Sequence, residues 1–132
     1  MVKQMPHCRD SSYARKWKEI HLSVPANRIR VLVKSVRRRA KGSNLAFDEA
    51  LLSFVNSPPT RCLCCRIELD YATLCRSRHN RAPSLDRLVC SEGYTVDNTR
   101  IICTRCNYLK NNASLNDLRR FVAYVASRGT KI

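Results

Sequence analysis

The sequence predicts an α+β fold: a small, metal-stapled strand–turn–strand–helix unit joined to a basic helical N-terminal region. Three observations predict it. Two Cys-x-x-Cys pairs, Cys62 with Cys65 and Cys103 with Cys106, are separated by 37 residues. Two short β-type runs flank the turn Ser91-Glu92-Gly93 and lead into a helix. Ahead of both, apolar residues recur at helical spacing within a segment crowded with arginine and lysine.

The elements follow in chain order. Residues 1–26 are polar and aperiodic and read as a basic arm, with helical character around Tyr13–Ile20. Residues 27–57 form a basic helical region. Its helix runs from about Asn27 to Lys41, with Ile29, Leu32, Val33, Val36 and Ala40 on one face and Gly42 as the stop. Arg30, Lys34, Arg37 and Lys41 line a second face, spaced as a rail for phosphates. A second helix is expected from about Asp48 to Asn56, with Leu51, Leu52 and Val55 inward, ended by Ser57-Pro58-Pro59. Residues 58–132 form the stapled domain. "TRCLCCRIELDY" reads as a cysteine knuckle followed by a short strand, and residues 72–84 as a basic loop. Strands are expected at Leu85–Cys90 and Arg100–Cys103, then a helix within "TRCNYLKNN". A last helix starts at Ser114, whose Asp117 three residues on makes a capping box, with Leu118, Phe121, Val122 and Val125 on one face.

Charge narrows the partners. The chain of 132 residues carries 25 Lys and Arg against 10 Asp and Glu, a net charge of +15. Residues 1–42 hold 12 basic against 2 acidic residues, and residues 43–132 hold 13 against 8. Polyanions suit such a surface, nucleic acid first and an anionic membrane surface second. No apolar run approaches the roughly 18 residues of a membrane span. The opening "MVKQMPHCRD" has no apolar leader, so a cytoplasmic protein with no membrane partner is expected.

Eight cysteines would permit disulfides, but the absence of a leader and the paired spacing favour a metal. Four soft ligands from two separate turns suit a tetrahedral, structural Zn²⁺, one per chain. In "CLCC" either Cys64 or Cys65 could serve; Cys65 is preferred because its spacing from Cys62 equals that of Cys103 from Cys106. Between the two pairs lies the chemistry. Asp86 falls on the first strand, Asn98 near the start of the second, and Asn107 on the first turn of the following helix. A carboxylate and an amide carbonyl are hard oxygen ligands, suited to Mg²⁺ or Mn²⁺ rather than Zn²⁺. A site with two protein ligands leaves positions for phosphate and water, which phosphodiester hydrolysis requires.

The blocks "SLDR", "GYTVDN" and "CNYLK", in this order and spacing, resemble the HNH or ββα-metal endonucleases. They are most similar to the phage and homing-type branch with Asp-Arg and Cys-Asn motifs beside a four-cysteine knuckle. Rare-cutting HNH restriction enzymes share such a centre. The resemblance spans about residues 29–122. It implies a metal-dependent endonuclease of double-stranded DNA, of phage, homing or restriction type. It implies that Asp86 and Asn107 hold the catalytic ion and that Asn98 fixes the intervening loop by bonding its backbone. Arg87 stands where the main family has a general-base His. Arginine stays protonated and cannot be a base, but it can clamp a phosphate and stabilise charge. The candidate base is then His79, with Tyr94 and Tyr71 as alternatives. Lys110, on the helix of Asn107, joins the DNA-contacting set. The competing reading is a zinc-knuckle protein that binds DNA or RNA without cutting it. Monomer and homodimer both stay open.

Overall fold

The computed structural model describes residues 11–72 and 80–128. Helix α1 spans Ser11–Leu22 and α2 spans Pro25–Gly42. A 3₁₀ helix spans Glu49–Asn56. Strands β1 (Pro83–Arg87) and β2 (Thr99–Cys103) form an antiparallel pair, followed by α3 (Thr104–Lys110) and α4 (Leu115–Ala126). The fold class is the expected one: helices with a two-stranded antiparallel sheet and a cluster of four cysteines.

Helix α2 begins two residues before the expected Asn27, because Pro25 in the first turn presets the helical φ where no N–H is needed. Ile29, Val33, Val36 and Ala40 are fully buried along its inner face. They share one core with Leu51, Leu85, Tyr94, Ile101 and Ile102. The basic helix is therefore packed against the sheet that carries the candidate site. Burying side chains of this size stabilises a fold by about 1.5–3 kcal/mol each.

The segment Asp48–Asn56 is not the α-helix expected but a 3₁₀ turn capped by the Asp48 carboxylate, which accepts from the Ala50 N–H at 2.9 Å. Leu51 is buried, Phe54 and Val55 pack against the core, and Leu52 turns outward. Residues 46–48 then cross the β1–β2 loop. Tyr94 N–H donates to the Ala46 carbonyl at 2.8 Å, and Asp48 N–H to the Tyr94 carbonyl at 2.9 Å. Gly93 permits this approach, since a Cβ there would lie 2.4 Å from the Ala46 oxygen.

The knuckle carries no following strand; one antiparallel bridge, Arg61 to Glu68, closes it. Arg66 takes a left-handed φ of 67° so that its N–H reaches the Cys62 carbonyl at 2.9 Å. Strand β1 also ends three residues earlier than expected, at Arg87, because an amide side chain captures the backbone beyond it. The capping box of α4 forms as expected between Ser114 and Asp117. Its apolar face does not enter the core: Phe121 and Val122 are 65% and 69% exposed. No described helix is long and apolar enough to cross a membrane.

Candidate functional site

Two sites share the sheet. The first is the cysteine cluster. The Sγ atoms of Cys62, Cys65, Cys103 and Cys106 all lie within 4.8 Å of one another, and those of Cys65 and Cys103 are 3.8 Å apart. Four sulfurs about 2.3 Å from a central Zn²⁺ form a tetrahedron with edges of about 3.8 Å, so the cluster is close to the size such an ion needs. All four are free thiols. Cys64 is exposed and stands outside the cluster, so the knuckle uses Cys65. The Cys62 sulfur accepts from the backbone N–H groups of Cys103 (3.2 Å), Cys64 (3.4 Å) and Cys65 (3.5 Å). Burial pushes its pKa up, but these donors outweigh burial and hold it at about 6. Burial and the neighbouring sulfurs push the Cys106 thiol up, and burial does the same at Cys103. One thiolate thus forms readily and disfavours the next until a cation offsets the charge. The cluster could hold a metal such as zinc.

The second site is an open cleft of about 350 Å³, lined by Ser84, Asp86, Arg87, Cys90, Tyr94 and Asn107 among others. Strand β1 supplies Asp86, which is only 6% exposed. Helix α3 supplies Asn107, whose side-chain amide donates to Ser84 Oγ. That bond leaves Oδ1 of Asn107 without a donor among the described residues. The Lys110 ammonium lies 3.2 Å from Asp86 Oδ1 and 2.6 Å from the Arg87 carbonyl oxygen. Arg87 folds over its own loop: it donates to the Cys90 carbonyl at 2.6 Å and stacks 4.9 Å from the Tyr94 ring centre.

Beneath the cleft, buried Asn98 binds the β1–β2 loop. Its Oδ1 accepts from Val89 N–H at 2.9 Å, and its Nδ2 donates to the carbonyls of Val89 (3.1 Å) and Gly93 (2.9 Å).

The expected site residues therefore separate by location. Asp86, Arg87 and Asn107 meet at one cleft, and Asn98 supports its wall. Tyr94 lines the cleft too, whereas Tyr71 does not. The Tyr71 hydroxyl donates to the Pro59 carbonyl at 2.7 Å, and burial raises its pKa to about 12. His79 lies outside the described residues. Arg30, Lys34, Arg37 and Lys41 lie on α2, clear of its buried face. Arg37 is engaged by Glu49 and by the Phe47 ring, and Arg30 by Asn27. Lys110, expected on the DNA side, is turned inward to Asp86. Arg39, a further cation of α2, lines the cleft as well. Its position three residues past buried Val36 and one before buried Ala40 was the available signal.

The chain is similar to a solved structure of the rare-cutting HNH restriction endonuclease PacI, which was described for its mechanism of DNA perturbation. The two are 21% identical, with 75% of this chain and 80% of that chain covered and a TM-score of 0.50. The fold is thus HNH-like. No family model and no curated protein matches the chain.

Proposed function

We propose that this protein is a metal-dependent DNA endonuclease that hydrolyses phosphodiester bonds in duplex DNA. The observation that carries the reading is the convergence of Asp86 and Asn107, from β1 and α3, on one cleft walled by Arg87 and Arg39. A carboxylate beside an amide oxygen is a donor set for a divalent ion, and phosphate binding alone calls for neither.

The donor set suits a hard divalent ion: one carboxylate and one amide oxygen, with room for water and phosphate oxygens. When bound, Mg²⁺ or Mn²⁺ would polarise the scissile phosphate and stabilise the leaving oxygen. The chain's own groups do the rest. Ser84 orients the Asn107 amide, and Asn98 holds the loop on which Arg87 folds. Arg87 and Arg39 present guanidinium groups to the phosphate and to the charge that builds on it. The basic face of α2 tracks the flanking backbone. His79 takes the proton of the attacking water in this reading, and Tyr94 is its rival within the cleft. The zinc is structural, since four thiolates close its shell.

Plasmid relaxation with Mg²⁺, Mn²⁺ or EDTA tests the proposal. Nicking or linearisation with a divalent ion, lost in EDTA and in Asp86→Ala, supports it. Tight DNA binding with no cutting by any divalent ion would leave the protein a zinc-knuckle binder.

A further inference from the structure

Lys110 is a cation placed against the carboxylate that the proposed chemistry needs for a metal. It is the last residue of α3, and its side chain is only 20% exposed. It reaches Asp86 from the far side of the cleft, from a second hollow lined by Leu63, Leu88, Ile102 and Cys106. Its ammonium holds Oδ1 of Asp86 and the Arg87 carbonyl together. Among the described residues no donor meets Oδ2, and Asp86 lines the cleft as well as the hollow.

Local charge sets how strongly this site can hold a divalent ion. Arg39 and Arg87 line the cleft, and Lys110 and Arg100 line the hollow behind it, so four cations lie around a single carboxylate, Asp86, among the described residues. Asn107 adds a neutral ligand. Divalent ions bind tightly where several anionic oxygens converge. Here the one anionic ligand of the cleft is already neutralised, and the remaining field is positive. A DNA phosphate supplies the missing negative charge and oxygens.

We infer that Lys110 makes divalent-ion binding conditional on DNA. With Asp86 neutralised, the free protein holds the ion weakly, and the phosphate backbone completes the site. The inference rests on the reading of Asp86 as a metal ligand. It explains why a lysine is held on that carboxylate at all, and it gives a basic nuclease a way to stay idle off its substrate.

The test reads Mn²⁺ binding by the loss of the free-ion electron paramagnetic resonance signal, using zinc-loaded full chain. The parent should bind Mn²⁺ weakly without DNA. Adding a short duplex should raise bound Mn²⁺ above the sum of protein alone and duplex alone. Lys110→Met should bind Mn²⁺ in the DNA-free protein about tenfold more tightly, the scale of one short-range charge interaction in partly solvated surroundings. Lys110→Arg, which keeps the charge, should stay near the parent. Zinc content and a thermal melt confirm folding, and Lys110→Gln replaces the Met variant if that one fails to fold. Asp86→Asn added to Lys110→Met should abolish the gain. Equal Mn²⁺ affinity in the parent and Lys110→Met overturns the inference, as does tight Mn²⁺ binding by the DNA-free parent. If these affinities shift as expected but the parent cuts no DNA, the nuclease reading fails while the role of Lys110 stands. If the parent cuts but the affinities do not shift, the reverse holds.

Discussion

Asn98 grips Val89 from both sides, accepting its N–H at 2.9 Å and donating to its carbonyl at 3.1 Å. The side chain acts as a short segment of strand. It satisfies the backbone that β1 would otherwise have offered to a partner, and it ends the strand at Arg87. Asn98→Ala leaves three backbone groups unpaired in part-buried surroundings and should cost about 3 kcal/mol of stability. Asn98→Asp keeps the acceptor but sets a carboxylate against two carbonyls, and should cost at least as much. Urea unfolding of the zinc-loaded protein measures both.

Elemental analysis should find one Zn²⁺ per chain. Cys103→Ser should lose the metal and the cooperative melt together, because the ion's binding energy is folding energy. Acid should release the zinc. The Cys103 and Cys106 thiols lie above their ordinary values in the metal-free fold, so ligation must displace their protons. Protons compete more strongly as pH falls, and apparent affinity falls with them. Competition with a chelating dye at about pH 6 and about pH 8 should show tighter binding at the higher pH.

Helix α2 and the cysteine staple were legible in the sequence because each rests on a period or a spacing. Ile29, Val33, Val36 and Ala40 follow the helical repeat, and all four are buried. The two Cys-x-x-Cys turns converge as their equal spacing implies. Features that were not legible depend on contacts far apart in sequence. The end of β1 is decided by an amide nine residues away from Val89. The inward turn of Lys110 depends on Asp86, 24 residues earlier. Apolar spacing over eight residues does not distinguish the 3₁₀ turn at Glu49–Asn56 from an α-helix. Arg87 binds its own loop through Cys90 and Tyr94, a fold-back that no motif announces.

Replacing Arg30, Lys34, Arg37 and Lys41 together with Gln should weaken binding to all duplexes alike. If all four meet phosphates, the slope of log affinity against log salt should flatten by roughly 3–4. Arg37 should contribute least, because Glu49 already pairs with it. Arg39→Gln should differ in kind, lowering the cleavage rate more than the affinity, because Arg39 lines the cleft. Fluorescence anisotropy across a salt series and single-turnover cleavage separate the two effects. An unchanged slope in the fourfold variant would reduce the α2 face to a solvated surface.

The catalytic assignment stands or falls on a short series of substitutions. Asp86→Ala and Asn107→Ala should abolish cleavage while DNA binding persists, since the Lys and Arg surface holds the backbone and these two hold the ion. Arg87→Ala should slow cleavage by roughly 10²–10³, the scale for losing one stabiliser of transition-state charge. It should also lower stability by about 1–2 kcal/mol, because it releases the Cys90 carbonyl and uncovers Tyr94. Comparing its rate at saturating and limiting DNA, well below its melting temperature, keeps the two losses apart. Arg87→His restores the base of the main HNH family at this position and should retain part of the rate. His79→Ala decides between the two proton acceptors. A large loss near neutral pH, partly recovered at higher pH, assigns the proton to His79. A small loss with a large one in Tyr94→Phe moves the role to Tyr94. If Asp86→Ala cuts DNA as fast as the parent, the ion is held elsewhere and the cleft between β1 and α3 is not the active site.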